Sequence, residues 1–286
     1  MPLNKNHLSL ATTRCGNTEF RWGERTYIMG IINVSPDSFS GDGLGSDIKA
    51  VREKAKRFIA EGADIIDVGG ESTRPESQPI TVDEELQRVI PAIEMLAADI
   101  VVPISIDTSK STVASRALDA GAVMINDVWG LKNDPNIARV ASEAGVPIII
   151  TNNQRQEPCQ GDIMAEVISD LERGVTLAEE YGVAEDKIII DPGIGFGKSL
   201  GQNLELIRRL AELKSLGKPI LLGTSRKSVI GMVLDLPPDQ RLEGTAATIA
   251  IGIANGADII RVHDVKQMAR VCRMSDAIIR RGMDER

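Results

Sequence analysis

Cysteine is scarce and never paired. Cys15, Cys159 and Cys272 are far apart and form no CxxC motif, so neither a disulfide frame nor a zinc site is expected, and all three read as free thiols of a reducing compartment. Basic runs are missing too. Asp and Glu outnumber Lys and Arg by 41 to 33, for a net charge of -8, which argues against a nucleic-acid partner, since such proteins normally present a basic face. No run of about 18 apolar residues exists, so no membrane span is expected. The opening MPLNKNHLSLATTRCG lacks the apolar centre of a signal peptide, and the expected location is the cytoplasm. Linkers and low-complexity tracts are absent, which favours a single domain.

What the chain has instead is a recurring phrase. It reads EGADIIDVG at 61–69, AGAVMINDV at 120–128 and NGADIIRVH at 255–263, with looser forms AGVPIIIT at 144–151 and LGKPILLG at 216–223. Each has a glycine stop, a short apolar run and then a polar residue. The glycine ends a helix, and the apolar run is a strand buried on both faces. Strands are expected at 27–32, 64–68, 103–106, 123–125, 147–151, 187–190, 219–222 and 258–262, with amphipathic helices such as 48–60 and 82–97 between them. Eight alternations imply a parallel (β/α)8 TIM barrel; an open doubly wound sheet is the alternative. The even cadence and a length of 286 residues favour the barrel, expected over 25–286 behind a leader at 1–24.

The carboxyl ends of barrel strands build the active site. Here those ends carry Asn33, the loops 35–43 and 69–75, Asp107, Asn126 with Asp127, Asp191, the stretch GTSRKS at 223–228, and RVHD at 261–264. A single polar residue at a strand end is most often a helix cap; such residues at nearly every strand end form a site. Asp107, Asn126 and Asp191 suit a planar, nitrogen-rich ring with several N–H donors. Asn33, Arg261 and His263 suit an anion, with a metal able to join through Asn33. The plainer role for Arg261 is a salt bridge to a neighbouring acid. His263 is one of only two histidines, and it shares a strand face with Arg261.

The stretch DPGIGFGKS at 191–199 imitates two nucleotide motifs and satisfies neither. Gly193 to Gly197 leaves three intervening residues where a P-loop needs four, and Lys198 stands where a dinucleotide fingerprint needs its third glycine. What remains is a strand delivering Asp191 into a glycine-rich turn.

Seven phrases in this order, MGIINVSPDSF (29–39), DVGGESTRP (67–75), SIDT (105–108), INDV (125–128), DPGIGFGK (191–198), SRKS (225–228) and RVHDV (261–265), resemble the dihydropteroate synthase family over nearly the whole chain from about residue 24. The resemblance implies condensation of 6-hydroxymethyl-7,8-dihydropterin diphosphate with 4-aminobenzoate, by a dissociative displacement that releases diphosphate. It implies that Asp107, Asn126, Asp191, Phe196, Gly223, Lys227 and Arg261 bind the pterin, and that Asn33, Arg261 and His263 meet the diphosphate, with Mg2+ on Asn33. Phe39, Thr73, Pro75 and Ser228 would surround the aminobenzoate. Lys227, Arg261 and His263, with the loop residues Asp42 and Arg74, would carry catalysis. It also implies a homodimer, expected through the last helices of the barrel, where 265–279 mixes apolar and charged residues, and competition by sulfonamides.

One stretch departs from the family pattern. The family shows Met-His or a close variant after the fifth strand, where this chain reads ITNNQRQEP at 150–158; altered pterin affinity is expected there before lost activity. Two other readings stand beside the synthase. One is a methyltetrahydrofolate:corrinoid methyltransferase, which shares the pterin acids but has no diphosphate to hold. The other is a non-catalytic pterin-binding paralogue.

Overall fold

The structure is a computed structural model that describes residues 10–34, 47–72, 78–156 and 159–280. Among these residues a short antiparallel hairpin, β1 (Thr13–Cys15) and β2 (Thr18–Phe20), precedes eight strands. These are β3 (Tyr27–Asn33), β4 (Ile65–Gly69), β5 (Ile104–Asp107), β6 (Met124–Asp127), β7 (Ile148–Thr151), β8 (Ile188–Asp191), β9 (Leu221–Leu222) and β10 (Ile259–Val262). The helices between and after them are α1 (Ile48–Glu61), α2 (Val82–Asp99), α3 (Ser111–Asp119), α4 (Asn136–Ala144), α5 (Ile163–Glu180), α6 (Leu200–Arg208), α7 (Ser228–Leu234), α8 (Leu242–Ala254) and α9 (Val265–Ile279). All eight strands pair in parallel, in the order β8-β7-β6-β5-β4-β3-β10-β9. A parallel bridge between Ile190 and Ile220 joins the two ends of that order, so the sheet is a nearly closed barrel and the open-sheet alternative is excluded.

Side-chain alternation sorts the strand residues into two cores. Outward-facing residues such as Ile66, Ile106, Ile125, Ile150, Ile190 and Ile260 pack under the ring of helices. Inward-facing residues, Met29, Ile65, Met124, Ile149, Ile189, Leu221 and Ile259, fill the lower half of the barrel. Each fully buried aliphatic side chain contributes about 1.5–3 kcal/mol by leaving water. The hairpin that the leader reading left without structure plugs the amino-terminal end. Phe20, Trp22 and Tyr27 form one aromatic group there, with ring centroids 4.9–5.5 Å apart, and Cys15 lies beside them.

The repeated Gly-Ala-Asp phrase has a local cause. Its aspartate sits just before a strand and accepts the N–H of the neighbouring strand: Asp64 takes Ile28 N at 2.8 Å and Asp258 takes Ile220 N at 3.0 Å. These bonds satisfy backbone donors at the barrel's lower rim. At the upper rim the pairing register sets a row. Asn33 lies beside Gly69, Gly69 beside Asp107, Asp107 beside Asn126, and Thr151 beside Asp191. The lower barrel is apolar and sealed; the polar residues collect at the carboxyl ends.

Candidate active site

Asp191 ends β8 and starts the glycine-rich turn. Its Oδ1 accepts Gly193 N at 2.8 Å. Gly193 and Gly197 both have left-handed backbone, at φ 67° and 73°. A Cβ at Gly193 would fall 1.8 Å from the Asn152 carbonyl oxygen, and one at Gly197 2.4 Å from the Gln154 carbonyl carbon. Only glycine lets this turn press so closely on the segment after β7. Lys198 folds back and donates to the carbonyls of Gly193 (2.9 Å), Asn152 (3.2 Å) and Phe196 (3.3 Å). Its Nζ is thereby committed to the backbone of the turn, whereas a phosphate-loop lysine points at its ligand. Burial drives its pKa down to about 7, with Asp191 opposing. The turn presents Phe196, whose ring lies under Lys227 Nζ at 4.5 Å and Arg155 Cζ at 4.8 Å.

Facing this turn is a cluster of acids closed by one arginine. Arg261 Nε donates to Asp67 Oδ2 at 2.6 Å, and its Nη2 donates to Asp107 Oδ2. Asn126 Nδ2 donates to the same Asp67 oxygen at 3.2 Å. Burial works against the Arg261 charge, but Asp67 and Asp107 outweigh it and raise its pKa. Burial raises Asp107 while Arg261 opposes, and it raises Asp191 while Lys227 opposes. Lys227 is pushed down to about 8 by burial, against the pull of Asp191. Arg261 therefore makes the plainer contact expected for it, a salt bridge to neighbouring acids, here Asp67 and Asp107 together.

The ends of β9 and β10 complete the wall. Arg226 has left-handed backbone at φ 57°, held by Asp264 on its guanidinium, by Thr245 Oγ1 accepting its N–H and by Arg241 donating to its carbonyl. This kink separates Ser225 from Lys227. Ser225 Oγ takes the His263 N–H at 3.1 Å and lies 3.0 Å from His263 Nδ1. Lys227 Nζ donates to the Ile194 carbonyl. Gly223 lies between Arg261 and Lys227, where a Cβ would stand 3.8 Å from Arg261 Cβ and 4.0 Å from Lys227 Nζ. Ser228 is exposed at the start of α7.

Asn33 ends β3, half-buried at the rim. Among the described residues no group of three or more His, Cys, Asp or Glu side chains is placed to hold a metal. A single amide oxygen does not make a resident cage. It does fit Mg2+ that keeps several waters and arrives on phosphate oxygens, the usual manner in which this ion binds.

Asp107, Asn126, Asp191, Phe196, Gly223, Lys227, Arg261 and His263 thus meet around one end of the barrel, as their strand-end positions imply. Phe39, Asp42, Thr73, Arg74 and Pro75 lie outside the described residues. The base of the loop bearing the last three is described: Lys110 Nζ binds Glu71 and the fully buried Glu85, and Arg88 donates to the Gly70 carbonyl. In the stretch that departs from the family pattern, Thr151 shares the inward face with Ile149, whereas Asn152 Nδ2 donates to Asp170 on α5 at 2.6 Å. Asn152 meets the turn through its backbone: its N–H donates to the Asp191 carbonyl at 2.9 Å, and its carbonyl accepts from Lys198. Sequence reasoning passed over Asp67, Ser225 and Arg155. Asp67 was visible as an acid two residues from Ile65 in one strand, hence on the same face.

A barrel sealed below, with acids, an amide and cationic side chains gathered at its carboxyl end, has the architecture of a (β/α)8 enzyme with its active site at that end. Residues 29–263 match the pterin binding enzyme family, and the chain belongs to it. Its relatives within that family include dihydropteroate synthases. That of Bacillus subtilis is 51% identical over 259 residues, covering 91% of this chain and 90% of the relative. The Clostridium difficile synthase, solved in the presence of pteroic acid, superposes with a TM-score of 0.87 at 51% identity, covering 92% of this chain and 100% of that one. The Xanthomonas albilineans synthase, solved with 4-aminobenzoic acid, gives 0.88 at 38% identity, covering 94% and 98%.

Proposed function

We propose that the chain catalyses the dihydropteroate synthase reaction of folate biosynthesis: 6-hydroxymethyl-7,8-dihydropterin diphosphate and 4-aminobenzoate give 7,8-dihydropteroate and diphosphate. The observation that carries this reading is the convergence of Asp107, Asn126, Asp191, Lys227 and Arg261 on one pocket. Asp107, Asp191 and the Asn126 oxygen accept the N–H groups of the pterin edge. Lys227 donates to its carbonyl side, with Phe196 and Gly223 as walls. Binding exchanges the Arg261–Asp107 pair for ring contacts and frees Arg261 to lie over the ring towards the diphosphate. His263, its Nδ1 held by Ser225, turns its other ring nitrogen to the same group. Mg2+ shared by Asn33 and the diphosphate would supply further charge neutralisation to the leaving group.

Charge neutralisation is what makes diphosphate leave. The electron-rich dihydropterin stabilises the cation left at its methylene carbon, and the aromatic amine attacks it. In this reading Phe39, Thr73, Pro75 and Ser228 hold the amine, and Asp42 and Arg74 join Lys227, Arg261 and His263 in catalysis. No protein nucleophile is needed: burial lifts the Cys15 pKa to about 12 and raises those of Cys159 and Cys272 as well. The test is diphosphate release with Mg2+ and the pterin diphosphate, with and without 4-aminobenzoate. Release together with the adduct supports the synthase. Transfer of a methyl group to a corrinoid protein instead would support the methyltransferase, and pterin binding with neither product a non-catalytic paralogue.

The same reading includes a homodimer built on α7–α9. Met232 (64% exposed), Ile251 (51%), Met274 (63%) and Ile278 (69%) are large apolar side chains left open on these helices, a composition that suits a protein partner. The domain assignment in this reading is a catalytic barrel over 25–286 behind a leader at 1–24, of which the described hairpin Thr13–Phe20 plugs the lower end.

A further inference from the structure

We propose that Asp67 is the positioning residue of the ring pocket: it fixes Asn126 as an acceptor and Arg261 along the wall, and so sets the preference for a ring edge rich in N–H donors. This rests on the pterin-binding reading above and adds a residue to it. Asp67 lies on the inner face of β4, two residues below the rim row of Gly69, Asp107 and Asn126. It is fully buried. One oxygen, Oδ2, serves side chains from both flanks of β4: Asn126 on β6 and Arg261 on β10.

A carboxylate only accepts hydrogen bonds. The end of the Asn126 amide that faces Asp67 must therefore be the NH2 group, whichever way an amide is drawn. Its oxygen is then turned away from Asp67, as a third acceptor beside Asp107 and Asp191. Without Asp67 the amide loses this bias and can turn its NH2 group to the ligand, where it would confront the ring's own N–H groups. Arg261 is fixed by the same oxygen. Its Nε is held by Asp67 and its Nη2 by Asp107, so the plane of the guanidinium is defined by two contacts on different strands. When a ring displaces the Asp107 contact, the Asp67 contact remains as the pivot. The second Asp67 oxygen is buried with no partner among the described residues. A buried acceptor left in that state is costly, and a side chain kept there at such cost fits a positional role better than a packing one.

The test is a double-mutant cycle on the full chain, read as the affinity for pteroic acid by titration calorimetry. Asp67→Ala is expected to weaken binding about tenfold or more, with Asp67→Asn recovering most of the loss, because its amide oxygen still accepts from Asn126. In an Asn126→Ala background the Asp67→Ala penalty should shrink to about threefold or less, the remainder passing through Arg261. Should Asp67→Ala fail to fold, Asp67→Ser removes the same reach and carries the same expectation. Unchanged binding in Asp67→Ala, or an equal penalty in both backgrounds, overturns the positioning role while leaving the synthase reading intact. Failure of the unmodified protein to bind pteroic acid overturns both.

Discussion

Lys227 carries the sharpest residue-scale consequences. Burial pushes its pKa down to about 8, so it is charged below that pH and loses its proton above it. If the ammonium is what meets the pterin carbonyl, kcat/KM should decline on the alkaline side with an apparent pKa near 8, a limb that a Lys227→Arg variant would not show. Lys227→Ala should lower kcat/KM on the order of a hundredfold, the usual scale for removing one preorganised donor, with the fold unaltered by circular dichroism. Asp107, Asn126, Asp191, Lys227, Arg261 and His263 were legible in the sequence because each stands at or just beyond a strand end, where the barrel places its chemistry. Asp67 was harder to see. It sits inside an apolar run and reads as part of a repeated phrase, and its meaning appears only when the inward face of β4 is laid against β6 and β10. Ser225 was hidden for a similar reason: its partner, His263, is 38 residues away.

At the scale of elements, the turn after β8 and the segment after β7 are one unit. Gly193→Ala would put a methyl group on the Asn152 carbonyl at a left-handed φ. We expect a loss of about 1–3 kcal/mol of stability in denaturant titration together with weaker pteroic acid binding, because the same turn carries Asp191 and Phe196. Asn152→His, by contrast, acts behind the pocket. It replaces the amide bonded to Asp170, so stability should change more than the Michaelis constant for the pterin. The strand cadence was legible because most of the parallel strands are short apolar runs after a glycine stop, and the expected strands fall within a residue or two of those observed; β5 is an exception, since α2 is capped by Ile100 and not by a glycine. The hairpin of β1 and β2 was not, since three-residue strands leave no periodic pattern. Phe20→Ala should cost about 3–5 kcal/mol, with Michaelis constants of the folded fraction close to those of the unmodified protein, because Phe20 lies at the opposite end from the site.

The described residues form a barrel whose two ends differ in chemistry: aromatic packing below, polar and charged side chains above. No helix of the described residues is long and apolar enough to cross a membrane. The open apolar side chains of α7–α9 make the proposed dimer testable. Ile278→Asp should convert a dimer to a monomer in light scattering, and a monomeric unmodified protein would remove the dimer from the account. The central claim is the coupled formation of two products. One reaction of purified protein with Mg2+, the pterin diphosphate and 4-aminobenzoate, followed for diphosphate by enzyme-coupled absorbance and for dihydropteroate by mass, tests it most directly. The account predicts equal amounts of the two, both lost in Lys227→Ala. Diphosphate release without the adduct, or tight pterin binding with neither product, would contradict it.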